Sequence, residues 1–346
     1  MTRLRVALLA GGRSSEHDIS VASARSVLEA LDPARYDVVG VTIDRDGRWA
    51  LQSGDGDVTG PDPDTGTSRA ETLPVPAAGG TLAALGAVDV VMPILHGPFG
   101  EDGTVQGLLE LADVPYVGAG VAASALAMDK DLFKKVLRDS GIPVARHHTI
   151  RLGDPVDNPI GYPAFVKPAR LGSSVGISKV HDEHELAAAV SLARRHDEKV
   201  LVEELLTGME VECGVLGNRV PPPIASLPGR IDTLEHEWYD YASKYDENGM
   251  ELVIPPELPQ ETIDLVQRRS VDAFVASECE GMARVDFFVR EDGEVIVNEL
   301  NTIPGFTATS VYAKLFAASG IEYAELLDRL IALALERHER RSHLEY

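Results

Sequence analysis

The sequence predicts a mixed α/β and α+β protein of two or three domains, beginning with an N-terminal open parallel-sheet domain. Three observations lead there. A chain of 346 residues exceeds the usual single-core size. Residues 4–9 read as a buried strand, a helix with Ile19, Val27, Leu28 and Leu31 on its apolar side follows, and residues 38–43 complete a βαβ unit. Far downstream, residues 284–301 hold two runs rich in Val, Ile and Phe around Asp292-Gly293, the pattern of an antiparallel hairpin.

Hydrophobic content of 44% and charged content of 25% are those of an ordinary globular enzyme. A formal charge of −23 disfavours nucleic acid and anionic membranes as partners, so an anionic substrate must be met by local Lys and Arg groups. Cys213 and Cys279 stand far apart, outside any metal-ligand spacing, which fits a reducing compartment. No apolar run approaches membrane-spanning length and the N-terminus has no signal-peptide pattern, so a cytoplasmic location is expected.

After the first strand, Gly11-Gly12-Arg13-Ser14-Ser15-Glu16-His17-Asp18 leads into the first helix. Ser15 with Asp18 has the form of a capping box, which puts Glu16 and His17 in the first helical turn. The G-x-G-x-x-G spacing of a dinucleotide site is absent. Residues 52–80, rich in Gly, Asp, Pro and Thr, read as a surface insertion. The strand at 88–95 ends in His96-Gly97-Pro98-Phe99-Gly100-Glu101-Asp102-Gly103, before a helix carrying Val105, Leu108, Leu109 and Ala112. Ligands of open α/β sheets lie beyond the carboxyl ends of strands, where Glu16 and His96 would both lie. A satisfied structural imidazole is an equally good reading of His96.

A second unit begins after Val117-Gly118-Ala119-Gly120, with a helix over 125–140 that carries Lys130, Lys134 and Lys135 and ends at Gly141. The strand Ala164-Phe165-Val166-Lys167-Pro168 then enters a loop containing Gly172, Ser173, Ser174 and Gly176. Such a loop can offer N–H and hydroxyl donors to phosphates, although it is not a G-x-x-x-x-G-K-[ST] loop and a flexible turn is the plainer reading. A helix over 184–195 and a strand over 200–203 precede Glu204-Leu205-Leu206 and Glu210. These glutamates suit an adenine amino group and ribose hydroxyls, or are ordinary surface charges. Residues 235–256, centred on Tyr239-Asp240-Tyr241-Ala242-Ser243-Lys244-Tyr245, read as a long functional loop. One later helix holds Val266 and Phe274, a closing helix covers 323–335, and the charged tail 336–346 is expected to fray.

The hairpin carries most chemistry. If Asp292-Gly293 forms a two-residue type I′ turn, Glu291 faces Glu294, Asp286 faces Glu299, and Arg284 faces Asn301. Alternation then sets Arg284, Asp286, Glu299 and Asn301 on one face. Opposed like charges destabilise a sheet unless something binds between them, and two carboxylates with an amide oxygen suit Mg²⁺, which keeps waters and takes substrate phosphates. A solvated acidic face reads equally well from these residues alone. Beyond Asn301, Gly305 allows close backbone approach and the helix with Val311, Leu315 and Phe316 offers N–H groups to an anion. Arg284 beside that loop suits an oxyanion.

Taken together, these motifs resemble the ATP-grasp superfamily and, within it, the D-alanine–D-alanine ligase family. The resemblance spans nearly the whole chain, through the 11–17 glycine turn, His96-Gly97, Met128-Asp129-Lys130, the 167–176 loop, Lys244-Tyr245 and the 284–310 block. It implies a pre-ATP-grasp domain over 1–120, then a two-part ATP-grasp fold over 121–203 and 204–346, with residues 235–256 as a lid. It implies ATP as co-substrate, two Mg²⁺ or Mn²⁺ ions held by Asp286, Glu299 and Asn301, D-alanine as substrate, and a homodimer. By resemblance Lys130, Lys167 and Lys244 would contact phosphates under the Ser174 loop. Glu203, Glu204, Leu206 and Glu210 would meet adenine and ribose, with Phe165 and Phe288 about the base. Glu16 would bind the first substrate's ammonium and close the lid with Ser173 and Tyr245, His96 lying nearby. Arg284 and the Gly305 amide would stabilise the oxyanion, and Ser310 would bind the second substrate's carboxylate. The 52–80 insertion departs from the shorter members of the family. A D-alanine–D-lactate ligase is the nearest alternative, and Lys244-Tyr245 favours the dipeptide product. A nucleotide-binding module without catalysis and a Rossmann-type protein are more distant ones.

Overall fold

The computed structural model describes residues 3–51, 71–73, 87–233 and 250–345. The first unit contains β1 (Leu4–Gly11), α1 (His17–Ala30), β2 (Tyr36–Ile43), β3 (Trp49–Leu51), β4 (Glu71–Leu73), β5 (Val90–Pro93) and α2 (Thr104–Leu111). The second contains α3 (Val121–Met128), α4 (Lys130–Asp139), β6 (His147–Ile150), β7 (Ala164–Pro168), β8 (Ser178–Val180), α5 (Glu183–Ala193) and β9 (Val200–Glu204). The third contains β10 (Met209–Gly217), β11 (Ile224–Ala225), β12 (Gly229–Thr233), β13 (Met250–Val253), α6 (Gln260–Ala276), β14 (Gly281–Val289), β15 (Val295–Asn301), α7 (Val311–Ala318) and α8 (Tyr323–Ser342).

Each unit has its own sheet. In the first, β1 pairs in parallel with β2 and β5, and β3 and β4 extend the β2 edge antiparallel. Residues 6–10 are wholly buried because α1 and α8 cover one face and α2 the other, which is why β1 reads as a continuous apolar run. The second sheet is antiparallel in the order β6-β9-β7-β8, with α5 packed on it. The third runs β13-β12-β10-β14-β15 with β11 beside β10, and α4 and α6 bury its apolar face.

Several expectations are corrected. Helix α1 starts at His17 with Glu16 as its N-cap, one residue later than a Ser15–Asp18 capping box predicts, so His17 but not Glu16 lies in the first turn. The helix expected over 125–140 breaks at Asp129, whose extended backbone ends α3 and whose Oδ1 accepts from the Leu132 N–H at 3.1 Å to cap α4. Residues 71–73 of the expected insertion form strand β4, while 52–70 and 74–80 lie outside the described residues. Of the lid expected over 235–256, residues 250–253 are strand β13 paired with β12, and 235–249 lie outside the described residues.

The tail does not fray at 336. Helix α8 continues to Ser342, and the buried Arg337 guanidinium donates to the carbonyls of Tyr116, at 2.7 Å, and Gly118. Its charge also lies 4.3 Å from the Tyr116 ring centre. A charged stretch is thereby spent on fastening the C-terminus to the first unit.

The hairpin turn also differs from the type I′ form. Gly293 N–H donates to Arg290 O and Arg290 N–H to Glu294 O, both at 2.9 Å, so the loop is Glu291-Asp292-Gly293. Gly293 has φ +84° whereas Asp292 is not in the left-handed region. This three-residue loop shifts the near register by one residue, setting Val289 opposite Val295 and Phe287 opposite Val297. A bulge at Asn298 shifts it back, so that Asp286 faces Glu299 and Arg284 faces Asn301 as the sequence predicts.

Candidate active site

The carboxyl ends of the first sheet, Gly172 and Ser173 of the serine loop, and the hairpin surround a cleft of about 820 Å³. Glu16, His96, Ser173, Arg284, Glu299, Asn301, Gly305 and Ser310 all line it, so residues scattered over some three hundred positions share one space.

On the hairpin, Arg284 Nε and Nη2 each donate to Asp286 at 2.7 Å, and Nε is 2.9 Å from Glu212 Oε2. Asn301 Nδ2 donates to Asp286 Oδ2 at 3.0 Å, and Lys130 Nζ is 3.7 Å from Glu299 Oε2. The carboxylates are thus offset by Arg284 and Lys130. Among the described residues no group of three or more His, Cys, Asp and Glu side chains is arranged to hold a metal. Two carboxylates and one amide oxygen nevertheless form a hard donor set, and a divalent cation that draws its remaining ligands from water and phosphate fits it.

Glu16 is 8% exposed and accepts from Ser173 Oγ at 2.5 Å. Gly97 has φ +73°, and a Cβ there would lie 2.8 Å from Glu16 Oε2, so glycine is needed for both backbone and space. His96 is buried, with Nδ1 3.0 Å from Ile303 O and Nε2 3.5 Å from Ser23 Oγ. Burial pushes its pKa down against the opposing pull of Glu16, which leaves it neutral near pH 7. Glu101, not singled out from the sequence, also lines the cleft and accepts from the Gly97 N–H at 2.9 Å. Burial, and then the charge of Glu16, push its carboxyl up to about 8.

Lys167 Nζ donates to Glu203 Oε1 at 2.5 Å, and Lys134 Nζ lies 3.1 Å from Glu203 Oε2. Burial raises the Glu203 carboxyl, but the two lysines outweigh it and hold the pKa at about 2. Lys130 Nζ donates to Leu171 O at 2.8 Å, tying α4 to the Ser loop. Ser173 and Ser174 take φ of +53° and +57°, a left-handed pair of non-glycine residues of the kind that concentrates at ligand sites. Glu204 receives Arg146 Nε at 2.8 Å and the Arg146 N–H at 2.7 Å. Phe165 of β7 stands opposite Glu203 of β9, and Phe288 of β14 opposite Glu210 of β10. Leu206 is buried with Ala145 and Ile296, and Phe288 packs on them. Ser310 holds the N-cap position of α7, its Oγ accepting from the Thr307 N–H at 3.0 Å and lying 3.3 Å from where a Cβ on Gly305 would be. Lys244 and Tyr245 lie outside the described residues.

Glu212 was also missed in the sequence. It stands opposite Asp286 across β10 and β14, a pairing that only the sheet order reveals; its one local signal was the two-residue spacing from Glu210.

Family models described as D-ala D-ala ligase N-terminus and C-terminus match residues 5–119 and 136–332. A D-alanine–D-alanine ligase A of Mesorhizobium japonicum is 47% identical over 98% of this chain and 99% of its own. A D-alanine–D-alanine ligase of a Mycobacterium species is 48% identical over 97% of each. Among solved structures, the D-alanine-D-alanine ligase from Coxiella burnetii has a TM-score of 0.84 at 37% identity, covering 99% of this chain and 97% of that one. The VanG D-Ala:D-Ser ligase from Enterococcus faecalis has a TM-score of 0.82 at 33% identity, covering 96% and 100%. The ligase from Bacillus anthracis complexed with ATP has a TM-score of 0.77 at 26% identity, covering 98% and 99%. With both halves matched and near-full-length relatives at almost half identity, the chain belongs to the D-alanine–D-alanine ligase family.

Proposed function

We propose that this protein joins two D-alanines into D-alanyl-D-alanine with conversion of ATP to ADP and phosphate, as a cytoplasmic step of peptidoglycan precursor synthesis. The observation that carries the reading is the opposed Asp286–Glu299 pair with Asn301 and Arg284 on one face, of which Arg284, Glu299 and Asn301 line a single cleft together with Glu16. A carboxylate oxygen of the first D-alanine attacks the γ-phosphorus, the bond to the β-phosphate oxygen breaks, and ADP leaves. The amine of the second D-alanine, its ammonium proton released to the medium, then attacks the carbonyl carbon of the acyl phosphate. The tetrahedral oxyanion collapses, and inorganic phosphate leaves as the peptide bond forms.

In this scheme Glu16, held by Ser173, binds the first ammonium, and neutral His96 supports that corner. Lys130 and Lys167 neutralise phosphate oxygens beneath the Ser174 loop, joined by Lys244. Glu203, Glu204, Leu206 and Glu210 form the adenine and ribose side, with Phe165 and Phe288 about the base. Asp286, Glu299 and Asn301 would hold two divalent ions, Mg²⁺ or Mn²⁺, which supply charge neutralisation to the transferring phosphoryl group. Arg284 and the Gly305 amide receive the oxyanion, and Ser310 the second carboxylate. Tyr245, on a lid over 235–256, helps exclude water from the easily hydrolysed acyl phosphate. The three-domain division at 120 and 203 and a homodimeric assembly belong to the same reading.

The VanG likeness in shape makes the second substrate the point to test. ADP release should be measured with ATP, Mg²⁺ and D-alanine, L-alanine, or D-alanine with D-serine or D-lactate, and products identified by mass. D-Alanyl-D-alanine without turnover on L-alanine is the expected result. A mixed product formed in preference would overturn the assignment of the second site.

A further inference from the structure

Lys134 is fully buried yet takes no part in the scheme above. It projects from α4 to a point where the second and third sheets meet. Its Nζ donates to the Asn298 carbonyl at 2.8 Å and lies 3.1 Å from Glu203 Oε2. Asn298 is the extra residue of the β15 bulge, since Phe287 faces Val297 and Asp286 already faces Glu299. Continued without a bulge, the near register would set Asp286 opposite Asn298 and turn Glu299 to the other face. Bulges re-aim side chains at some cost in ladder bonds, and this one presents a carbonyl that a buried ammonium satisfies. The same ammonium shares Glu203 with Lys167, whose Nζ is 2.5 Å from the other carboxylate oxygen.

We infer that Lys134 is a positioning residue for the divalent-cation site: it holds the Asn298 bulge that aims Glu299 at Asp286, and locks it to the Glu203–Lys167 pair on the nucleotide side. The inference rests on the reading of Asp286, Glu299 and Asn301 as cation ligands. Lys134 touches no reacting atom, so its effect passes through the geometry of β15.

The test is Mn²⁺ binding in the presence of ADP and without D-alanine, followed by electron paramagnetic resonance of free Mn²⁺ and corrected for an ADP-only control. Lys134→Met keeps the unbranched stem, one atom shorter, and removes the donor. It should weaken Mn²⁺ binding about ten- to a hundredfold, as loss of an outer-shell partner does, and raise the Mg²⁺ needed for half-maximal rate. A purely structural lysine would lower Tm and leave the Mn²⁺ Kd at the wild-type value, and that result overturns the inference. If Lys134→Met does not fold, Lys134→Gln takes its place, with weaker Mn²⁺ binding again expected and an unchanged Kd again refuting. Glu299→Gln separates the two levels. Weakened binding in Glu299→Gln with wild-type binding in the Lys134 variant leaves the cation site standing and removes Lys134 from it. Unchanged binding in Glu299→Gln removes the cation assignment itself.

Discussion

Gly97→Ala tests the first-substrate corner without replacing a substrate-binding side chain. The added methyl meets Glu16 Oε2 at 2.8 Å and Ser14 Cβ at 3.1 Å, on a backbone at φ +73°. Left-handed backbone costs a non-glycine residue about 1–2 kcal/mol. To restore ordinary contact the Glu16 carboxylate must move by several tenths of an ångström from the position in which it accepts from Ser173 Oγ. A charge-assisted hydrogen bond contributes about 1.5–3 kcal/mol, so loss of the ammonium contact predicts a rise in the KM for the first D-alanine of about ten- to a hundredfold. The KM for ATP should stay near wild type. The assay is initial ADP release against D-alanine concentration, fitted for two D-alanine sites, with a parallel thermal melt. If Tm falls while both D-alanine constants and kcat are unchanged, strain alone accounts for the glycine and Glu16 does not bind the ammonium.

Ser173→Ala removes the hydroxyl that donates to Glu16; a smaller rise in the same KM and more ADP released per dipeptide are expected, and product stoichiometry measured against ADP would expose tight coupling as the contrary result. Arg337→Met leaves the Tyr116 and Gly118 carbonyls without their donors, at about 1–3 kcal/mol for each carbonyl left unsatisfied. Urea unfolding should show that loss, with kcat preserved because the site lies elsewhere; stability equal to wild type would mean the tail does not fasten the fold. Glu101 has its pKa raised from 4.5 to about 8, so from pH 4.5 to 8 the unfolded carboxyl ionises before the folded one and stability falls as pH rises through that window. Glu101→Gln cannot ionise and should lose less stability between pH 5 and pH 8 than wild type does. Parallel losses would place Glu101 in a more polar setting than its burial implies.

The hairpin marks the boundary between local and distant information. Alternating residues dictated that Arg284, Asp286, Glu299 and Asn301 share a face, because the period of a strand is a local property. The two-residue turn deduced from Asp292-Gly293 was one residue too short, yet the far register came out right because the Asn298 bulge compensates. Neither irregularity is legible in the sequence: each depends on how β15 packs, including the ammonium that α4 supplies to Asn298 O.

The same division holds elsewhere. Residues 4–9 read as a buried strand because an apolar run between turns has few other fates, and residues 6–10 are indeed buried. The charged tail was misjudged because Arg337 looks like a solvated side chain until Tyr116 and Gly118 present their carbonyls to it. What the amino-acid sequence determined by itself was periodicity, punctuation and the ordered motifs of a family. Only the tertiary structure decided which charges meet: Glu212 beside Asp286 and Arg284, Glu101 beside Glu16, and Lys134 between Glu203 and the bulge. Those meetings join residues on different elements, and their energies come from burial and partner geometry, which no local pattern encodes.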